Sequence, residues 1–234
     1  RKDDIFLWKA FIPSMPSSPP IGRHAPLRLL YAGRLEEPSK KVSRLPRICE
    51  KLAELDIPFE LSIAGEGPEE ESLRKVFAAQ SHDLRDTVRF LGALSPKDLA
   101  SEFQRHQVFL LVSSTEGLPM AMLEAMAGRL CPVAMEIPSG VSETIIHGQN
   151  GMLAPQDDCD SFAQCLSRLH RDRTLLESIR SEAQTLVLKE YSAENHVRTL
   201  QKMAERAFIR PVPEANVGTD YYEKTIQTMV SKFR

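Results

Sequence analysis

Short apolar runs without polar alternation alternate along this chain with stretches of helical periodicity. Residues 27–33 (LRLLYAG), 59–65 (FELSIAG), 88–92 (VRFLG), 108–113 (VFLLVS) and 132–137 (PVAMEI) predict buried strands, and 151–154 a shorter sixth. Between them the pattern predicts helices at about 43–55, 69–80, 97–106 and 119–128. Strand runs without polar alternation are what a sheet covered on both faces requires. Strands alternating with helices of this length imply right-handed crossovers and an α/β, Rossmann-like, doubly wound parallel sheet of about six strands. Ligands on such sheets bind beyond the carboxyl ends of the strands. The loops that matter are therefore those after Gly33, Gly65, Gly92, Ser113 and Ile137.

The two ends read differently from the middle. Residues 1–26 carry the apolar string Ile5-Phe6-Leu7-Trp8 and then the proline-rich run Pro13 to Pro20. Such a run favours extended backbone and reads as an interdomain linker or the remnant of a preceding domain. After Pro155 the pattern turns helical, at about 158–171, 173–188 and 192–208. The expected domain is thus 27–209, with extra C-terminal helices. Residues 210–234 form a linker, broken by Pro211 and Pro213, and a last helix at about 219–232. Its stripe of Tyr222, Ile226, Met229 and Phe233 is placed to pack on its own domain or on a missing N-terminal one.

Composition narrows the function classes. The net charge of −2 argues against a nucleic-acid partner, since phosphate neutralisation needs a concentrated basic face. No apolar run approaches the ~20 residues of a membrane helix. Cys49, Cys131, Cys159 and Cys165 show neither a C-x-x-C pair nor metal-ligand spacing, and read as small buried or half-buried thiols in a reducing, cytoplasmic setting.

The most informative stretch is Ser113-Ser-Thr-Glu-Gly-Leu-Pro-Met-Ala-Met-Leu-Glu-Ala-Met-Ala127. A strand ends, a short loop carries Glu116 and Gly117, and Pro119 stands in the first turn of a helix that bears Glu124. Glu116 and Glu124 flank a helix N-terminus, whose N–H groups and positive dipole end suit a phosphate or another anion. Gly117 permits close approach of a ligand to the backbone. Taken alone, the two glutamates read more simply as a cap-like residue, Glu116, and a surface helix residue, Glu124. At the end of the first strand, Gly33-Arg34-Leu35 is followed by Lys40. An arginine and a lysine in a loop at the ligand edge can clamp a diphosphate. In Ala64-Gly65-Glu66-Gly67-Pro68-Glu69, glycines and a proline turn a strand into a helix. Glu69, Glu70 and Glu71 suit the helix dipole, with no catalytic role.

In these segments the chain resembles the C-terminal, nucleotide-sugar-binding domain of retaining GT-B glycosyltransferases of family 4, also called glycosyl transferases group 1. The resemblance runs from about Leu27 to Phe208. It rests on the GRL…K segment, the GEGP turn, VRFLG, STEGLP…LEAMA, PSGVSETI and HGQNGMLAP, all in order.

The resemblance implies a donor-binding domain that helps transfer a sugar from a nucleotide diphosphate sugar to a glycan, lipid or other acceptor, as in polysaccharide biosynthesis. It implies that Arg34 and Lys40 hold the diphosphate and stabilise the departing nucleotide. Glu116 would face the donor sugar, with the backbone of Gly117 and Leu118 close by. Glu124 would accept hydrogen bonds from the ribose hydroxyls. Gly33 and Pro119 would line the donor site, and the turn after Phe90 and Leu91 would lie against the base. Cationic side chains then take the place of a metal, and no cofactor beyond the nucleotide sugar is implied.

The implied partner is a missing N-terminal acceptor domain, through which any peripheral membrane association would run. Without it the domain would be inactive. Two other readings stay open: a non-catalytic nucleotide-binding or interaction module partnered with a separate chain, and a GT-B nucleotide-sugar epimerase.

Two features depart from the family pattern. Pro119 replaces a common glycine, and Gly128-Arg129-Leu130 places a bulky arginine near a strand start. Other signals have simpler explanations. The Asp-x-Asp at Asp158 and Asp160 precedes a helix and suits an N-cap. The six histidines form no cluster with ligand spacing and read mostly as loop or surface residues. Glu143 is placed to touch the sugar end of the site or to bond the following turn.

Overall fold

The computed structural model describes residues 25–80 and 82–191, all within one compact unit of the chain. Most of the predicted linker and the helices expected at 192–208 and 219–232 lie outside the described residues.

Six strands form one all-parallel sheet: β1 (Leu27–Ala32), β2 (Phe59–Ala64), β3 (Val88–Gly92), β4 (Val108–Leu111), β5 (Cys131–Glu136) and β6 (Met152–Pro155), in the order β3-β2-β1-β4-β5-β6. The helices are α1 (Arg44–Glu54), α2 (Glu70–Ala79), α3 (His82–Asp86), α4 (Pro96–Arg105), α5 (Met120–Ala127), α6 (Gly140–Thr144), α7 (Cys159–Arg171) and α8 (Arg173–Glu190). The predicted doubly wound α/β architecture is thus the one observed. The short helices α3 and α6 were not predicted, since five residues are too few to show a period.

Burial explains the apolar strands. In β1, β2, β4 and β5 nearly every residue is buried, as it must be where helices cover both faces. β3 departs from the expectation of a buried strand. It is an edge strand paired only with β2, and none of its five residues is fully buried.

Local chemistry sets the helix starts. Ser95 accepts the Asp98 N–H at 3.2 Å with Pro96 opening α4. Asp158 accepts the Ser161 N–H at 2.8 Å and caps α7, which settles the Asp-x-Asp as a cap. α1 packs against α7, and α5 against α8. Arg129 takes a left-handed backbone (φ 66°), and its carbonyl accepts from Nε of the buried Arg180 in α8 at 2.8 Å. The bulky residue of the Gly128-Arg129 turn is therefore part of the α5–α8 packing.

β1 lies between β2 and β4, so the chain winds away from it in both directions. Leu29 pairs in register with Leu61 on one side and Val108 on the other. The loops after β1, β2 and β3 border a crevice beyond the strand ends, beside this switch point.

Candidate functional site

The floor of the crevice is held by backbone. Gly33 N donates to the Ala64 carbonyl at 3.0 Å, Leu35 N to Glu66 at 2.9 Å, and Gly65 N to Gly92 at 2.7 Å. The ends of β1, β2 and β3 are thereby stitched together. Gly65 has φ +133°, and a Cβ built there would fall 1.9 Å from the Gly33 carbonyl oxygen. A Cβ at Gly67 would fall 2.2 Å from the Leu35 oxygen, so the Gly-Glu-Gly turn is dictated by close backbone approach. Beneath the loop, buried Tyr31 donates its hydroxyl to the Arg34 carbonyl at 2.9 Å. Burial above all, helped by the carboxylates of Glu116, Glu36 and Glu37, holds the Tyr31 proton well above its ordinary range. It therefore remains a donor at neutral pH.

The β1 and β4 loops meet across the switch point. Ser114 N donates to the Ser39 carbonyl at 2.8 Å. Lys40 Nζ lies 2.7 Å from Glu116 Oε1, and Ser113 Oγ donates to the same oxygen at 2.6 Å. This ion pair is largely shielded, with the Lys40 side chain 28% and Glu116 9% exposed. Arg34 is 68% exposed, and its Nε lies 3.3 Å from Glu36. Each of the two cations thus rests against a carboxylate.

A cavity of about 830 Å³ opens beyond the ends of β1, β2 and β3. Ala32, Gly33 and Arg34 form one wall, and the turn at Gly65, Glu66 and Gly67 forms another. Leu94 and Leu99 supply an apolar side, and Ala121 brings in the start of α5. This size accommodates a molecule as large as a nucleotide. Pro119 occupies the N-cap of α5 rather than its first turn, a one-residue shift from expectation. It offers no side-chain cap, and α5 has no acid in its first turn, so the positive end of the helix is left open. Glu124 stands one turn beyond Ala121, on the same side of the helix by spacing. It is half-buried, and burial raises its carboxyl above the ordinary range.

The residues singled out from sequence fall into three groups. Gly33 and Arg34 line the cavity. Lys40 and Glu116 are joined to each other at the loop junction, beside exposed Gly117 and half-buried Leu118. Glu124 follows on α5, with buried Pro119 at its cap.

Phe90 and Leu91 sit in β3 and pack against the core. The Phe90 ring meets Phe77 edge-on at 6.0 Å and lies 4.2 Å beneath the Arg74 guanidinium, so α2 occupies it. The turn that follows them, expected to lie against the base, lines the cavity through Ala93 and Leu94. Sequence reasoning missed Glu66 and Glu70 as lining residues. The loop-after-strand rule pointed to the Gly65 turn, but nothing in the sequence showed which of its acids face inward.

Glu143 is exposed on α6, and Gly140 N donates to the Gly117 carbonyl at 3.2 Å. All four cysteines are free and buried. His106 departs from the surface reading: it is buried, and burial pulls its pKa below the ordinary value. Among the described residues no group of three or more His, Cys, Asp or Glu could hold a metal, and no helix is long and apolar enough to cross a membrane.

Comparison with known proteins places this geometry in a family. The family model described as Glycosyl transferases group 1 matches residues 26–172. The amylovoran biosynthesis glycosyltransferase AmsK of Erwinia amylovora is 32% identical over 189 residues, covering 78% of this chain and 46% of that protein. The chain spans about half the length of the curated relatives it matches.

Among solved structures, a mutant of S. aureus TarM in complex with fondaparinux, alpha-GlcNAc-glycerol and UDP superposes with a TM-score of 0.73 at 20% identity, over 82% of this chain and 38% of that one. The C-terminal domain of the glycosyl transferase group 1 family protein LpcC from Francisella tularensis gives 0.64 at 20% identity, over 77% of this chain and 96% of that one. At these identities the structural likeness is one of fold.

Proposed function

Because this chain belongs to the glycosyl transferases group 1 family, we propose that it is the donor-binding domain of a retaining, metal-independent glycosyltransferase. The observation that carries the reading is that Arg34 and the start of α5 line one cavity, while the Lys40–Glu116 pair joins the neighbouring β1 and β4 loops. A nucleoside diphosphate sugar would place its diphosphate against Arg34, Lys40 and the first N–H groups of α5. The ribose would bond Glu124, and the base would enter the cavity beside Leu94 and Leu99. The UDP bound by TarM, a protein of the same fold, supports a nucleoside diphosphate as the ligand class.

The chemistry asked of these residues is mainly electrostatic. In retaining transfer the bond from the sugar's C1 to the diphosphate oxygen breaks, an acceptor hydroxyl oxygen bonds C1 from the same face, and its proton passes to the departing diphosphate oxygen. Negative charge grows on the leaving diphosphate, where fixed cations and helix N–H groups stabilise it. Lys40 and Ser113 both donate to Oε1 of Glu116. That arrangement suits a carboxylate held to orient sugar hydroxyls better than a free nucleophile. The acceptor would be supplied by a second domain, so this chain by itself binds donor without efficient transfer.

Calorimetric titration with UDP, GDP and ADP tests the reading. At least one should bind in the micromolar to low millimolar range, and Glu124→Ala should weaken it by about tenfold, the loss of a charge-assisted hydrogen-bond pair. Absence of binding by all three, or an unchanged affinity in the variant, overturns the assignment.

A further inference from the structure

Lys40 and Glu116 belong to different loops, so their 2.7 Å contact depends on whatever fixes one loop against the other. One buried charge lies at that junction and has no part in the proposed ligand contacts. Arg44, the first residue of α1, is 5% exposed. Its Nη1 donates to the carbonyl of Val112, and its Nη2 pairs with Asp157 Oδ1. Val112 immediately precedes the Ser113–Glu116 loop, and Arg44 follows Lys40 by four residues. Asp157 stands in the turn between β6 and α7, with its backbone in the left-handed region (φ 65°). One planar guanidinium therefore ties together the start of α1, the end of β4 and the β6–α7 turn.

We infer that Arg44 is a positioning residue: it locks the loop carrying Lys40 to the loop carrying Glu116, and so sets the spacing that a diphosphate sugar meets. The inference rests on the proposed donor-binding reading for its functional consequence, while the lock itself is a property of the loops. Arginine is needed because one flat fork must serve a carbonyl and a carboxylate in different directions, which a lysine ammonium on a single stem cannot do. Asp157 balances the buried charge that this requires. Ser114 N to the Ser39 carbonyl, at 2.8 Å, is the backbone bond that the lock protects.

Two measurements on the Arg44→Met variant separate the lock from its consequence. The first is amide hydrogen exchange, which needs no nucleotide. The Ser114 N–H should exchange roughly tenfold faster than in the parent, relative to the Leu61 N–H that bonds Thr87 inside the fold. Equal acceleration of both amides would make Arg44 a general stability residue and overturn the inference.

The second is a double-mutant cycle read by UDP, GDP and ADP titration. Arg44→Met should weaken the nucleotide that binds by about tenfold, and this loss should largely vanish in a Lys40→Ala background. An undiminished loss there overturns the positioning role. If the parent binds none of the three nucleotides while Ser114 responds selectively, the lock stands and the donor-binding reading falls. Should Arg44→Met fail to fold, Arg44→Lys and Asp157→Asn each remove one arm of the fork. Each should then give the same selective Ser114 response at smaller amplitude.

Discussion

Glu116 competes with the ligand it is proposed to serve. Lys40 Nζ lies 2.7 Å from its Oε1, and both side chains are mostly shielded from water. A diphosphate arriving at Lys40 must share the three ammonium donors with this carboxylate and also meet its negative charge. A charge-assisted hydrogen bond contributes about 1.5–3 kcal/mol, and partial exposure of Lys40 lowers what is at stake. We take about 1 kcal/mol as the competing term, which corresponds to roughly fivefold in affinity.

Glu116→Gln removes the charge, retains the side-chain volume and keeps an oxygen to accept from Ser113. UDP, or whichever nucleoside diphosphate binds, should therefore bind the variant about fivefold more tightly at low salt, with the gain shrinking as salt is added. In a protein that includes the acceptor domain, the same substitution should depress sugar transfer. Titration calorimetry at two ionic strengths reads the effect. Weaker nucleoside diphosphate binding by the glutamine variant would refute the reasoning, because Glu116 would then be an attractive partner.

Other substitutions probe the scaffold and the helix. Lys41 holds a left-handed backbone (φ 51°), a conformation that costs a side-chain-bearing residue about 1 kcal/mol or more. Lys41→Gly should raise stability by a net of about 0.5 kcal/mol after the glycine's own entropy cost, read as a higher urea midpoint at unchanged slope. Gly65→Ala should destabilise by roughly 3 kcal/mol or more and abolish nucleotide binding, since its Cβ would strike the Gly33 carbonyl; chemical denaturation measures the first effect and titration the second. Burial raises the Glu124 carboxyl, so the folded state holds its proton more tightly than the unfolded chain does. Stability tied to that proton is present in acid and is lost as pH rises through the folded value. Glu124→Gln should therefore melt higher than the parent at pH 7, and the gap should close below about pH 4, under the ordinary glutamate value.

How much of this was legible in the sequence depends on what a period or a turn can encode. The predominantly apolar runs in β1, β2, β4 and β5 announce a sheet covered on both sides, because burial on both faces leaves no regular polar alternation. Strand-to-helix turns with Gly65 and Gly67 mark the ligand edge for the same reason that they are glycines: backbone passes too close for a side chain. The edge position of β3 was not legible, since VRFLG is as apolar as a central strand and pairing partners are not written locally. Nor was the fate of Phe90, whose ring is taken by Phe77 and Arg74 across a helix. The partners of Arg34 and Lys40 illustrate the same limit. Arg34 meets Glu36, two residues away, while Lys40 meets Glu116 across the switch point. Arg44 carried no signal, because its role lies in contacts to Val112 and Asp157, far along the chain.

The central claim is that one nucleoside diphosphate seat lies where the β1 loop, the β4 loop and the start of α5 meet. A crystal structure of this chain with UDP, GDP or ADP tests it most directly. The account predicts diphosphate oxygens within hydrogen-bond distance of Arg34, Lys40 and the Ala121 N–H, with ribose hydroxyls on Glu124. A diphosphate bound elsewhere would contradict it, for instance at Arg47 and Lys51 in a separate cavity of about 530 Å³ beside Asp158 and Asp160.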